Sequence, residues 1–301
     1  MNSRQVTTVI DPDECIGCGA CVRVCPSDTL KLEQGIARVV GDQSLSCGHC
    51  VAVCPSGAVQ VNALSPDMTT FSTFSLNHEW LPFGHMEPGN LARVMASRRS
   101  CRNFKTTPVE STTLEDLIKL ACLAPSGTNS QQWTFTCLPD RDAVLNLGNL
   151  VKRFFTGLNK KAENVLLRKG LRFAGYKALD AYYQEYYTSV KEAIYEMEHH
   201  HRDRLFHGAT ACILVGSAPG ASCPGEDALL AAGNILLGAH AMGLGTCLIG
   251  FVVEAIKADQ SIRKQLDIPS REKIHAAIAL GYPDETYQRI TGRKKPVIRF
   301  R

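Results

Sequence analysis

Seven cysteines within the first 54 residues constrain this chain more than any other feature. They form two runs that each end in Cys-Pro: Cys15, Cys18, Cys21 and Cys25, then Cys47, Cys50 and Cys54. Two-residue gaps let a tight loop turn successive sulfurs inward, and four soft thiolates at this spacing can enclose an iron–sulfur cluster. A disulfide knot or a zinc ribbon explains neither Cys-Pro ending, so the pattern predicts a cluster-binding unit.

The first run resembles the ligand motif of bacterial two-cluster ferredoxins, whose fourth cysteine ligates the other cluster. This resemblance implies two ligand sets: Cys15, Cys18, Cys21 and Cys54 for one cluster, and Cys25, Cys47 and Cys50 for the other. The motif would place a further cysteine at position 44, where Ser44 stands. Because an alkoxide is a harder ligand than a thiolate, three outcomes stay open: a serine-ligated 4Fe-4S cluster, a 3Fe-4S cluster, or a 4Fe-4S cluster with a labile corner. We favour four iron atoms.

Length and composition favour an ordinary globular protein of two domains. The chain has 301 residues, of which 45% are hydrophobic and 21% charged, as in typical soluble proteins. Residues 1–11 lack the apolar core of a signal peptide. The other six cysteines are scattered, and we expect them to be free: Cys101, Cys122, Cys137, Cys212, Cys223 and Cys247. Free thiols and oxygen-sensitive clusters favour a reducing, cytoplasmic location.

The net charge of +4 is unevenly distributed. Residues 1–66 carry four Lys or Arg against six Asp or Glu, whereas the remaining residues carry 29 basic and 23 acidic side chains. A basic second part suits a phosphorylated cofactor and an acidic partner. No Lys/Arg cluster is interleaved with stacking aromatics, so we expect no nucleic-acid binding.

The pattern divides the chain into three parts. Residues 1–66 read as the two-cluster iron–sulfur domain, residues 67–90 as a linker rich in proline and glycine, and residues 91–301 as a second domain. Residues 228–253 carry no charge and are long enough to test as a membrane span. The break at Gly243-Leu244-Gly245 and several polar residues argue against membrane insertion. We instead predict a helix over residues 227–242 buried on all sides, followed by a strand over residues 247–252.

Two motifs near the start of the second domain carry a family resemblance. Arg98-Arg99-Ser100-Cys101-Arg102-Asn103-Phe104 precedes an amphipathic helix over residues 112–124, and Pro125-Ser126-Gly127-Thr128-Asn129-Ser130-Gln131-Gln132-Trp133 follows it. The order resembles the FMN-dependent nitroreductase family over roughly residues 91–301, and the whole chain resembles its ferredoxin-fused branch. The resemblance implies an α+β fold: a ferredoxin-like two-cluster domain followed by a nitroreductase-type domain, with a mainly antiparallel central sheet flanked by helices, in an intertwined homodimer.

The resemblance also implies where FMN would bind. Its dianionic phosphate needs fixed positive charge with bidentate donors, which arginine supplies. The expected contacts are Arg98, Arg99, Ser100 and Arg102, with Arg293 joining them late in the chain. The loop residues Pro125, Ser126, Gly127 and Asn129 would contact the ribityl chain or ring edge, in relatives usually those of the other subunit. The backbone of Leu248, Ile249 and Gly250 would run beside the flavin ring.

Residues 154–206 form the variable part of the resemblance. This tyrosine-rich stretch reads either as interface packing or as an aromatic lid over the flavin. Consecutive positions on a helix point in different directions, so His199, His200 and His201 cannot share one metal ion well. We predict no catalytic side chain, because the flavin carries the chemistry.

The sequence therefore predicts a flavin oxidoreductase with a built-in electron-transfer module. Its clusters and FMN would exchange electrons, and a nitroaromatic- or quinone-like acceptor would be reduced at the flavin. Without a G-x-G-x-x-G fingerprint at a strand–helix junction, NAD(P)H would have to stack directly on the flavin. Two alternatives stay open: the flavin oxidises a donor and the clusters export electrons to a soluble ferredoxin, or the chain is a non-catalytic redox sensor.

Overall fold

Two small antiparallel sheets and two short helices build the N-terminal domain. The computed structural model describes residues 4–301. The elements of this domain are β1 (Thr8–Ile10), α1 (Ala20–Val24), β2 (Leu30–Glu33), β3 (Ile36–Val39), α2 (His49–Ala52) and β4 (Val59–Val61). β1 pairs with β4, and β2 pairs with β3. α1 and α2 each begin after a glycine in the left-handed region, Gly19 (φ 69°) and Gly48 (φ 73°), a conformation that glycine adopts at little cost.

The segment after this domain is tied to the rest of the chain. A 3₁₀ turn spans Pro66–Thr69, and the Phe71 and Phe74 rings stack with centroids 4.4 Å apart. The carboxylate of the fully buried Asp116 accepts hydrogen bonds from the backbone amides of Ser72 and Thr73 and from the Thr73 hydroxyl, at 2.7–3.0 Å. The early part of the predicted linker is therefore docked onto the second domain.

The second domain is a four-stranded sheet between helical layers. Its helices are α3 (Pro88–Ser97), α4 (Ser111–Cys122), α5 (Arg141–Glu163), α6 (Val165–Phe173), α7 (Ala178–Glu185), α8 (Tyr187–His199), α9 (Pro224–Ala241), α10 (Gly250–Ala258) and α11 (Gln260–Gln265). Its strands are β5 (Trp133–Leu138), β6 (Ala211–Ser217), β7 (Gly245–Leu248) and β8 (Lys273–Gly281), in the order β5-β6-β8-β7 with antiparallel pairing throughout. The predicted α+β class is confirmed.

Two hydrophobic layers cover the faces of this sheet. One packs α5 and α10 against β6 side chains such as Cys212 and Leu214, and the other packs α4 and α9 against Ile213 and Val215. Every residue of β6 is buried, as expected for a central strand with helices on both faces.

Two predicted elements differ from the observed ones. β7 ends at Leu248 and α10 begins at Gly250, so half of the predicted strand over residues 247–252 is helical. α9 is not buried on all sides, because Leu229 and Leu230 are 56% and 49% exposed in the single chain. The uncharged run is thus split between a helix, an edge strand and a second helix. Within residues 4–301 no helix combines the length and hydropathy needed to span a membrane.

Candidate functional site

The N-terminal cysteines gather into two groups. Burial raises the pKa of the Cys21 thiol, and the nearby Cys15 and Cys18 sulfurs raise it further. Burial likewise raises the pKa of Cys50, and the nearby Cys47 and Cys25 sulfurs raise it further. The sulfur of Cys25 therefore joins the second run, which is the crossed arrangement that two-cluster ferredoxins use.

A small cavity lies within the second group. Cys25, Cys47 and Cys50 line it together with Ser44. The Ser44 hydroxyl oxygen accepts a hydrogen bond from the Ser46 amide at 3.0 Å. This bond holds the Ser44 side chain against the backbone of the loop that precedes Cys47. We call this group the inner site, and the predicted ligand set of Cys15, Cys18, Cys21 and Cys54 the outer site. No disulfide joins any of the thirteen cysteines, all of which lie in the described residues.

The two cysteines that precede prolines are biased toward the thiolate form. Burial alone would raise the pKa of Cys25, but hydrogen bonds from the Ser27 amide and the Thr29 hydroxyl outweigh it and lower the pKa. Burial is likewise outweighed at Cys54, where the side chain and amide of Ser56 lower the pKa. Thiolate sulfur is the form that ligates iron, so this donor chemistry fits iron–sulfur clusters.

The arginine-rich loop after α3 is held against the edge strand β7. The Cys101 amide donates to the Thr246 carbonyl at 2.9 Å, and Ser100 forms an isolated bridge with Thr246. A Cβ at Gly245 would lie 2.7 Å from the Cys101 Cβ, so only glycine permits this close approach. Arg98 and Arg102 consequently lie near Cys247, where their charges oppose the burial that raises its pKa.

A cavity of about 1050 Å³ opens beside this loop and β7. Arg102 contributes to one wall, and Leu248, Ile249 and Gly250 contribute the start of α10. Five aromatic residues complete much of the lining: Phe154, Phe155, Tyr182, Tyr186 and Phe251. The volume lies at the upper end of ordinary ligand sites, so this cavity can hold a ligand with a flat polycyclic ring.

The polar groups at this cavity fit a phosphorylated ligand. Among the described residues, no carboxylate forms an ion pair with the side chain of Arg98, Arg99 or Arg102. The Ile249 amide donates to the Ala277 carbonyl at 2.9 Å, whereas the Gly250 amide is the first of α10 and has no acceptor within the helix. Arg102 alone of the three lines the cavity, and the Glu285 carboxylate contacts the same loop at Cys101 and Asn103. Guanidiniums without an ion pair and a helix N-terminus together favour an anion with a hydrogen-bond acceptor.

Two separate parts of the chain match known family models. Residues 95–282 match the family model described as the nitroreductase family, and residues 7–55 match the one described as a 4Fe-4S dicluster domain. The chain belongs to the nitroreductase family. It is a flavin-dependent oxidoreductase that carries a 4Fe-4S domain at its N-terminus.

Individual relatives agree with this membership. The chain is 27% identical over 208 residues to the 4-nitrobenzoate reductase of a Nocardioides strain, which covers 64% of this chain and 79% of that protein. It is 25% identical over 195 residues to the oxygen-insensitive NADPH nitroreductase of Helicobacter pylori, covering 63% of this chain and 85% of that one. Among solved structures, the FMN-bound nitroreductase of Bacteroides fragilis shares the fold, with a TM-score of 0.52, 18% identity, and 70% of this chain and 98% of that one covered.

Within this nitroreductase fold, the predicted flavin contacts occupy separate places. None of Pro125, Ser126, Gly127 and Asn129 lines the cavity that Arg102 and the start of α10 line. Their loop instead faces the N-terminal domain across a second cavity. Arg293 lies in an exposed C-terminal segment, where its guanidinium donates to the Gly292 carbonyl at 3.3 Å. In the single chain these residues do not form one site.

Sequence patterns missed several residues that line the large cavity. Phe251 follows the predicted Leu248–Gly250 segment directly and could have been included with it. Burial lowers the pKa of His275, and its ring nitrogen lies 2.9 Å from the Ser217 hydroxyl oxygen. The only clue to His275 in the sequence was a polar residue within an apolar strand. The sequence offered no clue to Arg204 or Lys257. Among residues 4–301, no three His, Cys, Asp or Glu side chains lie close enough together to hold a single metal ion, so the cysteine groups described above are spaced more widely than the ligands of a single-ion site.

Proposed function

We propose that this protein is an FMN-dependent oxidoreductase that exchanges electrons between its clusters and FMN and reduces a small organic acceptor. The observation that carries the proposal is the cavity beside unpaired arginines, on a chain that also holds two groups of cluster-type cysteines. Nitroaromatic and quinone-like compounds are the acceptors we expect. The nitrobenzoate and NADPH reductases among the relatives support that class.

The chain supplies binding and orientation to this chemistry. Arg98, Arg99 and Arg102, with the Ser100 hydroxyl, would hold the phosphate. The Gly250 amide would donate to the ring edge. The bound flavin would supply two-electron chemistry and the clusters one-electron steps.

An aromatic wall in the cavity supports a flat acceptor. Phe251 packs edge-to-face against Phe155, with centroids 5.4 Å apart, and against Tyr186 at 5.8 Å. The Tyr182 hydroxyl donates to the Asn159 carboxamide oxygen at 2.6 Å, which fixes its ring beside Phe155. These rings would exclude water and favour planar compounds.

The cluster content we propose is one 4Fe-4S cluster at the outer site and a 4Fe-4S or 3Fe-4S cluster at the inner site. Ser44 lines the inner cavity, and the ligand set proposed for the inner site lacks a fourth thiolate. The donor we expect in the cytoplasm is a soluble one-electron carrier such as a ferredoxin, with NAD(P)H as the other candidate.

A homodimer completes the proposal. The exposed leucines of α9 lie on a helix without charge from Ala228 to Ala241. The C-terminal residues Val297, Ile298 and Phe300 are 65–93% exposed in the single chain. Exposed apolar patches of this kind mark protein interfaces, and a partner subunit would cover both.

The proposal is tested by flavin retention and turnover. The purified wild type should hold FMN and iron, and should reduce a nitroaromatic with saturable kinetics under anaerobic conditions. Arg102→Ala should weaken FMN binding about 10- to 150-fold, because a hydrogen-bonded charge on the phosphate is lost. Arg93→Ala, on the exposed surface of α3, is the matched control. A protein that binds iron but no flavin, or shows no turnover with any acceptor, would instead fit a redox sensor.

A further inference from the structure

One hydrogen-bonded contact joins the flavin domain to the loop that precedes Cys47. The side-chain amide of Asn129 donates to the Leu45 carbonyl at 3.1 Å and to the Ser46 carbonyl at 3.0 Å. Both of its N–H groups are thereby used. Ser46 and Asn129 are both in the left-handed region, with φ of 48° and 53°. The contact thus holds the backbone directly before an inner-site cysteine.

The loop that carries Asn129 is held to the rest of the flavin domain by hydrogen bonds and close packing. Asp227, at the start of α9, is 3% exposed and accepts a hydrogen bond from the Gly127 amide at 2.8 Å. The Trp133 indole donates to the Asp227 carbonyl at 3.1 Å. A Cβ at Gly127 would lie 2.9 Å from the Cys223 sulfur, so the loop packs closely on α9. Asn129 therefore projects from a fixed support.

The outer site has no comparable support. Cys18 is exposed, and Ile16 beside it is 67% exposed. Among the described residues, no hydrogen bond or ion pair joins residues 11–28 to any residue beyond 90. The outer site is thus open to an external carrier, whereas the loop of the inner site rests on the flavin domain.

We propose that Asn129 is a positioning residue that locks the inner site against the flavin domain and makes it the site through which electrons cross between the domains. The inference rests on the proposed function. Electrons cross one at a time, no bond forms or breaks, and a one-electron carrier of the ferredoxin type exchanges them at the outer site. Because such transfer weakens steeply with distance, a loosened Cys47 loop slows it.

The test compares two variants of one loop in the full-length holoprotein. Asn129→Ala removes both donors, and Gln131→Ala is the matched control: Gln131 also has a left-handed φ of 48°, but its side chain makes no hydrogen bond to residues 44–47. In Asn129→Ala we expect the amides of residues 44–48 to exchange with deuterium at least about fivefold faster, since two hydrogen bonds are lost. Asn129→Asp, which keeps the size but loses both donors, should behave alike.

The second readout is the rate of cluster-to-flavin equilibration after anaerobic mixing with a reduced ferredoxin. We expect this rate to fall at least tenfold in Asn129→Ala, with iron content, flavin content and the initial bleaching of the clusters unchanged. Faster deuterium exchange with an unaltered rate would make Asn129 merely structural and overturn the proposal, as would no change in either readout. If the wild type itself transfers no electrons, the proposed function fails as well, so the two failures are distinguishable.

Discussion

The buried side chain of Asp116 joins the second domain to the segment that connects it with the N-terminal domain. It is fully buried and lies in α4, yet its hydrogen-bond donors come from Ser72 and Thr73 in the connecting segment. Burial would raise its pKa, but the hydrogen bonds from Thr73 and Ser72, with Lys119 nearby, outweigh burial and lower it. The ionised carboxylate is therefore the form that stabilises the fold.

Asp116→Asn should lower the free energy of unfolding by about 2 kcal/mol at pH 7, because a charged acceptor of several hydrogen bonds becomes neutral. A carboxyl group with a depressed folded pKa contributes stability above its unfolded pKa of about 3.9 and loses it as the pH falls through the folded value. Urea unfolding followed by tryptophan fluorescence should show the gap between wild type and variant at pH 7 and its decline below about pH 4. A gap of equal size at pH 3 would contradict this account.

We propose that the type of the inner cluster depends on Ser44. Ser44→Cys should yield two 4Fe-4S clusters, since it completes a set of four thiolates. Ser44→Ala should lower the iron content by about one atom per chain and give the electron paramagnetic resonance signal of a 3Fe-4S cluster. Ser65→Ala is the control, because its hydroxyl caps no helix and lies outside the cavity. If iron content and spectrum stay the same in both variants, Ser44 does not determine the cluster type.

What the sequence could predict at this scale depended on spacing along the chain. The cysteine runs and the arginine loop are local patterns, and their chemistry is readable from neighbours a few residues apart. The contacts of Asn129 join residues 83 and 84 positions apart. No local pattern encodes such a contact, so Asn129 was predicted as a flavin ligand, whereas its amide donors are engaged by the inner-site loop.

At the scale of elements, a substitution on α9 tests the proposed homodimer. Leu230→Glu should convert a dimer of twice the 32.9 kDa chain mass into a monomer, because it places a charge on an apolar face that we expect a second subunit to cover. Leu32→Glu, at a similarly exposed leucine on β2, should leave the dimer intact. Light scattering on the purified proteins measures the mass. A Leu230→Glu variant that stays dimeric would exclude this face.

The aromatic wall between α5, α7 and α10 tests substrate binding. Phe251→Leu keeps an apolar side chain but removes two edge-to-face contacts, and such contacts contribute about 0.5–1.5 kcal/mol each. We expect the KM for a nitroaromatic acceptor to rise about 2- to 10-fold while kcat changes less than twofold. Steady-state kinetics on Phe251→Leu and wild type measure both. An unchanged KM would mean that this wall does not contact the acceptor.

Elements were predicted best where periodicity extended over many residues. The amphipathic pattern over residues 112–124, observed as α4, is of this kind. The end of β7 and the start of α10 were misread because residues 247–253 are apolar with one glycine, Gly250, among them, a pattern compatible with either element. β7 is an edge strand, and its pairing with β8 stops at Leu248 and Ile278. Where the pairing stops is decided by tertiary structure and not by the local sequence.

At the scale of the whole molecule, the chain carries two cysteine sites and one large cavity. The outer site is exposed, the inner site rests on the flavin-domain loop, and the arginine-lined cavity lies beside β7. Both domain families could be predicted from sequence. How the domains dock could not, because that depends on scattered contacts of single residues such as Asn129 and Asp116.

Anaerobic stopped-flow mixing of the wild-type holoprotein tests the central claim most directly. Cluster and flavin absorbance are followed separately after addition of a reduced ferredoxin, and in a parallel experiment after addition of NAD(P)H. We predict that the clusters bleach first, that the flavin follows, and that an added nitroaromatic reoxidises both. Fast flavin bleaching by NAD(P)H before any change at the clusters would contradict this direction of flow and would make the clusters an outlet for electrons.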